Sequence, residues 1–288
     1  MAEPLARLAV VTGWHNDNAR LAVAELGAAR GRLGVELLMP EDEARKHDDP
    51  EGLGYARVDE HGLRSADACV VFGGDGTILR MLGRLLGTPV PVLGINYGNV
   101  GFLASLPHDG WFDGLRSVVA GGYRVVELLT VDAWLDGQRH AAVNDIVLSR
   151  VAPRHVLHLE YEVSGVTIGR MLCDGLIIAT PTGSTAYNLS CAGPIVEWDA
   201  SVMLLNFIAP HSLGFRPVVL RPDHVISVAN VSPLEECEVV ADGHTVGRLC
   251  CGDRVRVAGG DRRARLMVRA EGSFYQNVEE KLFTREGR

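Results

Sequence analysis

The sequence predicts two domains, an α/β domain with a parallel sheet and a β-rich domain that follows it. Three observations predict this arrangement. Strand and helix patterns alternate over residues 1–122, which is typical of a parallel sheet covered by helices. Residues 123–269 instead contain short β-rich runs separated by turn signals. The chain has 288 residues, of which 47% are hydrophobic, and this is sufficient for two packed cores.

Apolar periodicity defines the elements of the first domain. Short apolar runs predict buried strands, and stretches with apolar residues three and four positions apart predict helices. The predicted strands are 8–11, 35–39, 68–72 and 90–95, and the predicted helices are 18–29, 78–86 and 111–120. Residues 40–64 are charged and rich in glycine, so we expect a mobile surface loop there, with its acidic part in solvent.

The second domain, residues 123–269, is predicted to be mostly antiparallel. Turn pairs such as Asp136-Gly137 and Ser164-Gly165 separate its apolar runs, as in β-hairpins. The predicted strands are 125–135, 141–148, 156–163, 166–178, 218–220, 225–231, 237–240, 254–257 and 265–268, with one helix around 184–191. Residues 275–283 show helical spacing, and the C-terminal segment 270–288 is a candidate to pack back on the first domain.

Charge and composition exclude several classes of partner. The formal net charge is −8, which argues against nucleic acid as the main partner. No apolar run approaches the ~18 residues that a transmembrane helix needs, and the N-terminus lacks the pattern of a secretory signal. The six cysteines include no Cys-x-x-Cys pair, so we expect free thiols in a reducing compartment. These features predict a cytoplasmic protein that binds small molecules and no membrane.

The first motif that carries chemistry is Gly73-Gly74-Asp75-Gly76-Thr77, at the end of a predicted strand. Its glycines let the backbone approach a ligand closely, and the helix that follows offers N–H groups to a phosphate. A carboxylate is unusual in a site that only binds phosphate, but it suits a base that accepts a proton from a hydroxyl being phosphorylated. The alternative is a tight turn in which Asp75 caps the helix.

Other nucleotide-binding signatures are missing from the sequence. There is no Gly-x-x-x-x-Gly-Lys-[Ser/Thr] motif, and only two of the 28 basic residues are lysines, Lys46 and Lys281. The first strand is not followed by Gly-x-Gly-x-x-Gly, the fingerprint of dinucleotide oxidoreductases. A P-loop enzyme is therefore excluded, and ordinary dinucleotide oxidoreduction is disfavoured.

Two further motifs lie in the predicted second domain. Asn144 and Asp145 interrupt an apolar strand, and an adjacent amide and carboxylate can bind the vicinal hydroxyls of a ribose. The alternative there is a bulge or the start of a strand. Residues 174–190 form a buried strand, a Thr-Pro-Thr-Gly turn and a helix start, with Tyr187 able to stack on a planar base. The alternative there is an ordinary helix cap with Tyr187 in the core.

Together these motifs resemble those of the NAD kinase family, in the family's order. They are the GGDGT element, the glycine-rich segment 93–103, the Asn-acid pair, DGLI-x-x-TPTGSTAY at 174–187, and Asp242-Gly243. GGDG alone is shared with phosphofructokinases and with diacylglycerol and sphingosine kinases, whereas the long run at 174–187 is highly specific.

The resemblance implies a fold, a reaction and partners. It implies a phosphofructokinase-like first domain, a β-rich second domain and a site between them. It further implies transfer of a phosphoryl group from ATP or polyphosphate to the 2′-hydroxyl of the adenosine ribose of NAD, giving NADP. A divalent cation, Mg²⁺, and a homodimer or homotetramer are implied as well.

The resemblance also assigns roles to residues. Asp75 would be the catalytic proton acceptor, Asn144 and Asp145 would hold ribose hydroxyls, and Asp174 would contact the nicotinamide half. No protein ligand to a metal is assigned. The other expected binding residues are Gly74, Gly76, Thr77, Asn96, His155, Thr182, Ser184, Thr185, Ala186, Tyr187, Asn188, Ser190 and His244.

The chain departs from the family pattern at several positions. Asp145 stands where the family usually has Glu, so its carboxylate is one methylene shorter. His244 stands where the family usually has Gln, and its reference pKa of ~6.5 would add a pH dependence. Leu172 occupies the place of a family arginine, with Arg170 as a possible substitute. Two other functions stay open, a kinase acting on a lipid or nucleoside, and a non-catalytic NAD(P)-binding sensor.

Overall fold

The computed structural model describes residues 2–13, 17–47, 49–98, 101–152, 155–212 and 214–283. The chain forms two units, one of Met1–Glu127 with Ala264–Arg288, and the other of Leu128–Arg263. The sequence places the boundaries after residues 122 and 269 instead. The difference arises because the strands at Tyr123–Leu128 and Ala264–Arg269 pair with each other in the sheet of the first unit.

The strands are numbered in chain order. They are β1 (Arg7–Thr12), β2 (Glu36–Pro40), β3 (Tyr55–Val58), β4 (Ala68–Gly73), β5 (Val92–Asn96), β6 (Tyr123–Leu128), β7 (Val131–Leu135), β8 (Gln138–Ala142), β9 (Asp145–Arg150), β10 (Leu157–Val163), β11 (Val166–Cys173), β12 (Gly175–Ala179), β13 (Met203–Ile208), β14 (Val218–Leu220), β15 (Ile226–Asn230), β16 (Cys237–Ala241), β17 (His244–Leu249), β18 (Arg254–Gly259) and β19 (Ala264–Arg269).

The helices are fewer and mostly short. They are α1 (Asp17–Leu33), α2 (Glu41–Ala44), α3 (Glu60–Arg64), α4 (Asp75–Arg84), α5 (Trp111–Val119), α6 (Tyr187–Ser190) and α7 (Phe274–Val278), with a 3₁₀ turn at Thr182–Thr185 and a π-helical turn at Glu279–Phe283. None of the helices in the described part of the chain combines the length and apolarity that a bilayer crossing requires.

The first unit is built on a seven-stranded sheet in the order β3-β2-β1-β4-β5-β19-β6. The pairings from β3 through β19 are parallel, which confirms the predicted α/β class. The central strand β4 is buried along its whole length, as its uninterrupted apolar sequence predicts. Register places Gly73, at the end of β4, beside Asn96, at the end of β5. This carboxyl edge is where open parallel sheets bind their ligands.

The prediction of a mobile loop over residues 40–64 is wrong. This segment contains α2, β3 and α3, and Glu43 within its acidic part is only 1% exposed. The Glu43 carboxylate accepts a hydrogen bond from Thr12 N at 2.9 Å and pairs with Lys46 Nζ at 2.5 Å and His47 Nε2 at 3.2 Å. Although burial opposes it, these contacts hold the pKa of Glu43 below its ordinary value. Lys46 and His47 follow Glu43 in the same segment, whereas Thr12 comes from β1, so the charge density of the segment alone does not show that Glu43 is buried.

The second unit contains two six-stranded antiparallel sheets. Their orders are β11-β10-β15-β18-β7-β8 and β14-β13-β12-β9-β16-β17. One buried apolar cluster draws side chains from both sheets, among them Leu148 and Leu176 from one and Val228 and Val257 from the other. The predicted antiparallel β domain is confirmed.

Several elements of the second unit differ from the prediction. The run at 141–148 is divided between β8 and β9, and the strands β13 and β17 were not predicted. The run at 166–178 is two strands, β11 and β12, with Asp174 between them. The helix expected around 184–191 is a 3₁₀ turn followed by the single turn α6. Serine and threonine hydroxyls compete with helical hydrogen bonds and glycine loses more backbone entropy in a helix, which explains the short and irregular helical structure of this stretch.

Tight turns with positive φ at both central residues join several of these strands. They include the predicted pairs Asp136-Gly137 (φ 50° and 76°) and Ser164-Gly165 (φ 50° and 82°). Asp242-Gly243, between β16 and β17, has the same form, with φ of 47° and 80°. Such turns match the twist of a hairpin and favour aspartate and glycine at these positions.

Candidate functional site

The carboxylate of Asp75 is fixed by backbone N–H groups of a neighbouring loop. Gly74 is the N-cap of α4 and Asp75 is its first residue. Asp75 Oδ2 accepts from Phe102 N at 2.8 Å, and Oδ1 accepts from Leu103 N at 3.1 Å. The side chain therefore does not cap its own helix. Each carboxylate oxygen has a second lone pair, so Asp75 can still accept a proton while it is held in this way.

Close backbone approach explains the glycines around Asp75. A Cβ on Gly101 would lie 2.0 Å from Asp75 Oδ1, which no real side chain could do. A Cβ on Gly98 would come within 3.0 Å of Gly74 Cα, so the two glycine-rich loops lie against each other. The amide of Asn96 orders this second loop, since its Oδ1 accepts from Gly98 N at 3.1 Å.

The remaining first-unit residues of the motif flank Asp75. Gly76 is exposed, with nothing within 4 Å of an added Cβ, so it leaves open space beside the carboxylate. Thr77 lies under the loop, because a Cβ on Gly73 would be 2.9 Å from Thr77 Cβ. Gly76 is thus the most accessible residue of the motif, and Gly74, Asp75 and Thr77 are partly exposed.

In the second unit, Asn144 and Asp145 lie where the chain bends from β8 into β9. Asp145 is the first residue of β9 and is 6% exposed. The Asn144 side-chain oxygen is buried and has no hydrogen-bond partner among the described residues. A buried polar atom without a partner costs about 1–3 kcal/mol, and a sugar hydroxyl could satisfy this oxygen beside the buried carboxylate of Asp145.

A third carboxylate, Asp242, holds this bend. Its oxygens accept hydrogen bonds from Val143 N at 2.7 Å, Asn144 N at 2.8 Å and Asp145 N at 3.2 Å. Asp242 N in turn donates to the Asp145 carbonyl at 3.1 Å. Asp242-Gly243 is among the family motifs in the sequence, but only the neighbouring His244 is expected to bind, and no role is predicted for Asp242. An aspartate that opens a hairpin turn is nevertheless a recognisable signal.

Burial and the proximity of two carboxyl groups shift their pKa values. Burial, together with the charge of Asp242, raises the pKa of Asp145 to about 7. Burial also raises the pKa of Asp242, while the three N–H donors and the nearby His244 limit the rise. Asp145 therefore exchanges its proton near neutral pH, and it can donate or accept hydrogen bonds there.

The Thr-Pro-Thr-Gly turn lies directly against the same bend. Thr180 N donates to the Asn144 carbonyl at 2.9 Å, and Thr180 Oγ1 donates to the Val143 carbonyl at 2.6 Å. A Cβ on Gly183 would be 2.0 Å from the Asn144 carbonyl oxygen, so this glycine cannot be replaced without moving the turn. Thr182 is 2% exposed, and its hydroxyl has no partner among the described residues. Two unpaired polar atoms thus lie on adjoining segments.

Some expected binding residues support the turn instead. Ser184 Oγ accepts from Val196 N at 3.0 Å and donates to the Val196 carbonyl at 3.2 Å. Asn188 is fully buried, and its amide donates to Ser184 O at 3.1 Å and accepts from Asn206 at 3.2 Å. Both side chains make internal hydrogen bonds that hold the turn.

Tyr187 is 44% exposed, so it does not lie in the core. Burial raises its pKa, and the charges of Cys191, Asp174 and Asp145 add to the rise. Asp174 pairs with Arg150 at 3.1 Å. Thr185 donates to the Thr182 carbonyl at 3.2 Å, and Ala186 is half-buried at the start of α6.

The other expected residues are less closely associated with this group. His155, Ser190 and His244 are exposed, on the segment before β10, at the end of α6 and at the start of β17. Arg170 is exposed and pairs with Glu160 at 2.8 Å. Among the described residues, no three His, Cys, Asp or Glu side chains converge to form a metal site.

Two family descriptions match the chain. The ATP-NAD kinase N-terminal domain matches residues 34–123, and the ATP-NAD kinase C-terminal domain matches residues 143–269. An NAD kinase of Geobacter sulfurreducens is 33% identical over 284 residues, which cover 96% of this chain and 98% of that protein. One of Symbiobacterium thermophilum is 36% identical over 260 residues, covering 88% of this chain and 86% of that protein.

The fold of this chain also matches solved structures of an NADH kinase and an NAD kinase. The crystal structure of yeast NADH kinase complexed with NADH matches with a TM-score of 0.86 and 25% identity, covering 99% of this chain and 90% of that one. The crystal structure of an NAD kinase from Archaeoglobus fulgidus in complex with ATP matches with a TM-score of 0.73 and 28% identity, covering 95% and 97%. The motif order, both domain matches and the full-length relatives agree, and the chain belongs to the NAD kinase family.

Proposed function

We propose that this chain is an NAD kinase that transfers a phosphoryl group from ATP to the 2′-hydroxyl of the adenosine ribose of NAD. The observation that carries the proposal is Asp75, a carboxylate fixed by two backbone N–H groups at the carboxyl edge of a parallel sheet. Such a group is placed to accept a proton and has no other structural duty toward its own helix.

In this mechanism Asp75 takes the proton of the 2′-hydroxyl as its oxygen attacks the terminal phosphorus of ATP. A new O–P bond forms, the bond to the leaving ADP oxygen breaks, and the products are NADP and ADP. Positioning and charge stabilisation supply most of the acceleration in transfers of this kind. The backbone N–H groups at the start of α4 are available to the phosphoryl oxygens.

The second unit supplies the groups that hold the acceptor. Asn144 and Asp145 bind ribose hydroxyls, and Thr182 adds a further hydroxyl. Tyr187 is exposed enough to border a planar ring. Support for these roles comes from the unpaired buried oxygens of Asn144 and Thr182, which a sugar hydroxyl would satisfy.

Mg²⁺ enters this scheme with ATP. The described residues offer no three-ligand cage, and Mg²⁺ commonly binds through substrate phosphates with few protein ligands. When bound to the phosphates, Mg²⁺ would neutralise charge on the transferring group.

Substrate choice is open to a direct test. The matched yeast protein was crystallised with NADH and the archaeal one with ATP, so both acceptors and ATP belong in the panel. Purified protein is incubated with each phosphoryl donor (ATP, GTP or polyphosphate) in combination with each acceptor (NAD or NADH). The phosphorylated dinucleotide is then measured by chromatography. Diacylglycerol, sphingosine and adenosine serve as alternative acceptors.

We expect ATP and NAD or NADH to give phosphorylated dinucleotide. A higher kcat/KM for the lipids or the nucleoside would show a kinase of another acceptor. Dinucleotide binding without turnover would show a sensor.

All six cysteines are free, which supports the cytoplasm as the compartment. A homodimer or homotetramer is also proposed, and light scattering on the purified chain would measure it.

A further inference from the structure

The carboxylate of Asp242 accepts three consecutive backbone N–H groups, from Val143, Asn144 and Asp145. These residues bend between β8 and β9, where Val143 and Asn144 lie outside the strands. Backbone N–H groups at such a bend need another acceptor when they are buried. Asp242 provides it from the end of β16, whose last residue, Ala241, pairs with Ile146 of β9.

The turn that carries Asp242 does not by itself require these bonds. Asp136-Gly137 is a turn of the same form in the same unit, with φ of 50° and 76° against 47° and 80° at Asp242-Gly243. Asp136 is exposed, whereas Asp242 is only partly exposed and reaches across to the bend. The two turns share local sequence and backbone, and they differ in what the aspartate holds.

We propose that Asp242 is a positioning residue for the acceptor dinucleotide, a role that rests on the proposed function. Its carboxylate sets the backbone of the bend, and the bend sets where the side chains of Asn144 and Asp145 project. A carboxylate that accepts several N–H groups forms charge-assisted bonds, which are stronger than neutral ones and hold geometry more tightly. Asn144 and Asp145 then need no rearrangement when the ribose binds.

Asp242→Asn tests this role, because asparagine keeps the size and removes the charge and part of the acceptor capacity. We expect KM for the dinucleotide to rise on the order of 10-fold, with KM for ATP changed less than about 2-fold. Asp136→Asn is the matched control and should leave both constants unchanged. A purely structural role would lower the melting temperature and the active fraction while both KM values stayed the same, and that result would overturn the proposal.

A second pair of variants decides the question if Asp242→Asn does not fold. Gly243→Ala keeps the carboxylate but strains the turn, since Gly243 has φ of +80° and nothing within 4 Å of an added Cβ. Gly137→Ala makes the same change at the control turn, with φ of +76° and equally open space. We expect a rise in dinucleotide KM of about 3-fold for Gly243→Ala and none for Gly137→Ala. Equal effects in the two variants would overturn the proposal.

The wild-type protein in the same assay separates this proposal from the proposed function. Wild type that forms no phosphorylated dinucleotide would contradict the kinase assignment itself. Wild type that is active, with Asp242→Asn kinetically identical to it, would contradict only the positioning role.

Discussion

In both units backbone N–H groups donate to a carboxylate, but that carboxylate is the proposed reacting group in the first unit and a supporting group in the second. In the first unit Asp75, the proposed base, itself accepts N–H groups from Phe102 and Leu103. In the second unit the proposed ribose-binding residues donate their N–H groups to a separate carboxylate, Asp242. Chemistry and fixation therefore depend on one side chain in the first unit, and on different side chains in the second.

This difference determines what mutations can reveal. Asp75 is both the proposed base and the anchor of its loop. Asp75→Asn removes the base but keeps one acceptor oxygen for the loop, and a change in the loop itself tests the anchor separately. In the second unit the anchor and the ligand-binding groups can be changed one at a time.

Among changes that leave Asp75 itself in place, the largest effect is expected from disturbing its loop. In Gly101→Ala the new Cβ would lie 2.0 Å from Asp75 Oδ1, so the loop or the carboxylate must move. Displacement of a reacting group by about 1 Å can cost on the order of 100-fold, and we expect a fall in kcat of that size. Steady-state formation of NADP measures it.

The control for this variant lies on the same helix as Asp75. Gly83 is in α4 and has nothing within 4 Å of an added Cβ, so Gly83→Ala should leave kcat unchanged. Equal kcat values for Gly101→Ala and wild type would mean that the contact with Phe102 and Leu103 does not govern the base.

The sequence predicts the reacting groups better than the groups that hold them. Asp75, Asn144 and Asp145 stand out because each is polar at the end of, or within, an apolar strand. Asp242 lies almost 100 positions from the bend it holds, and no local pattern shows which N–H groups it meets. Ser184 and Asn188 fit a ligand-binding motif in sequence, yet tertiary hydrogen bonds to Val196 and Asn206 occupy them.

The fold likewise separates features that a local sequence pattern predicts from features that depend on tertiary contacts. The alternation of strands and helices predicts the parallel sheet, and the turn pairs predict the hairpins. Glu43 could not be predicted as buried, because Thr12 contacts it only once β1 and α2 are assembled, although its partner Lys46 is close in sequence.

A smaller effect is expected at Asp145, where ligand binding and stability oppose each other. Its pKa of about 7 is above the ordinary 3.8, so the folded state loses stability as pH rises between these values. Asp145→Asn removes that loss and should raise the melting temperature at pH 8 but not at pH 4. Removing the charged acceptor should raise KM for NAD about 10-fold at pH 8.

The pH dependence sharpens this prediction. The ionisable groups near Asp145 are Asp242 and Tyr187, with His244 and Asp174 beside them. In wild type, KM for NAD should rise as pH falls through about 7, because protonation removes the acceptor charge. The same rise in Asp145→Asn would assign the titration to one of the other groups.

The smallest effect is expected at Asn277, which is connected to Asp75 only through Phe102. Asn277 in α7 donates to the Phe102 carbonyl at 2.9 Å, and Lys281 lies 4.2 Å from the centre of the Phe102 ring. Asn277→Ala removes one hydrogen bond from the residue whose N–H holds Asp75, so we expect kcat to fall about 3-fold. The exposed Glu280 supplies the control, Glu280→Ala, with no expected change. Equal kcat values in the two variants would confine the anchoring to Phe102 and Leu103.

Single-turnover transfer by Asp75→Asn tests the central claim most directly. Enzyme saturated with NAD is mixed with MgATP, and NADP formation is followed beside an equilibrium titration of NAD binding. The account predicts a transfer rate reduced ~100-fold or more, because a general base is lost, with the NAD dissociation constant changed less than about 3-fold. Transfer at the wild-type rate would show that Asp75 is not the base of this reaction.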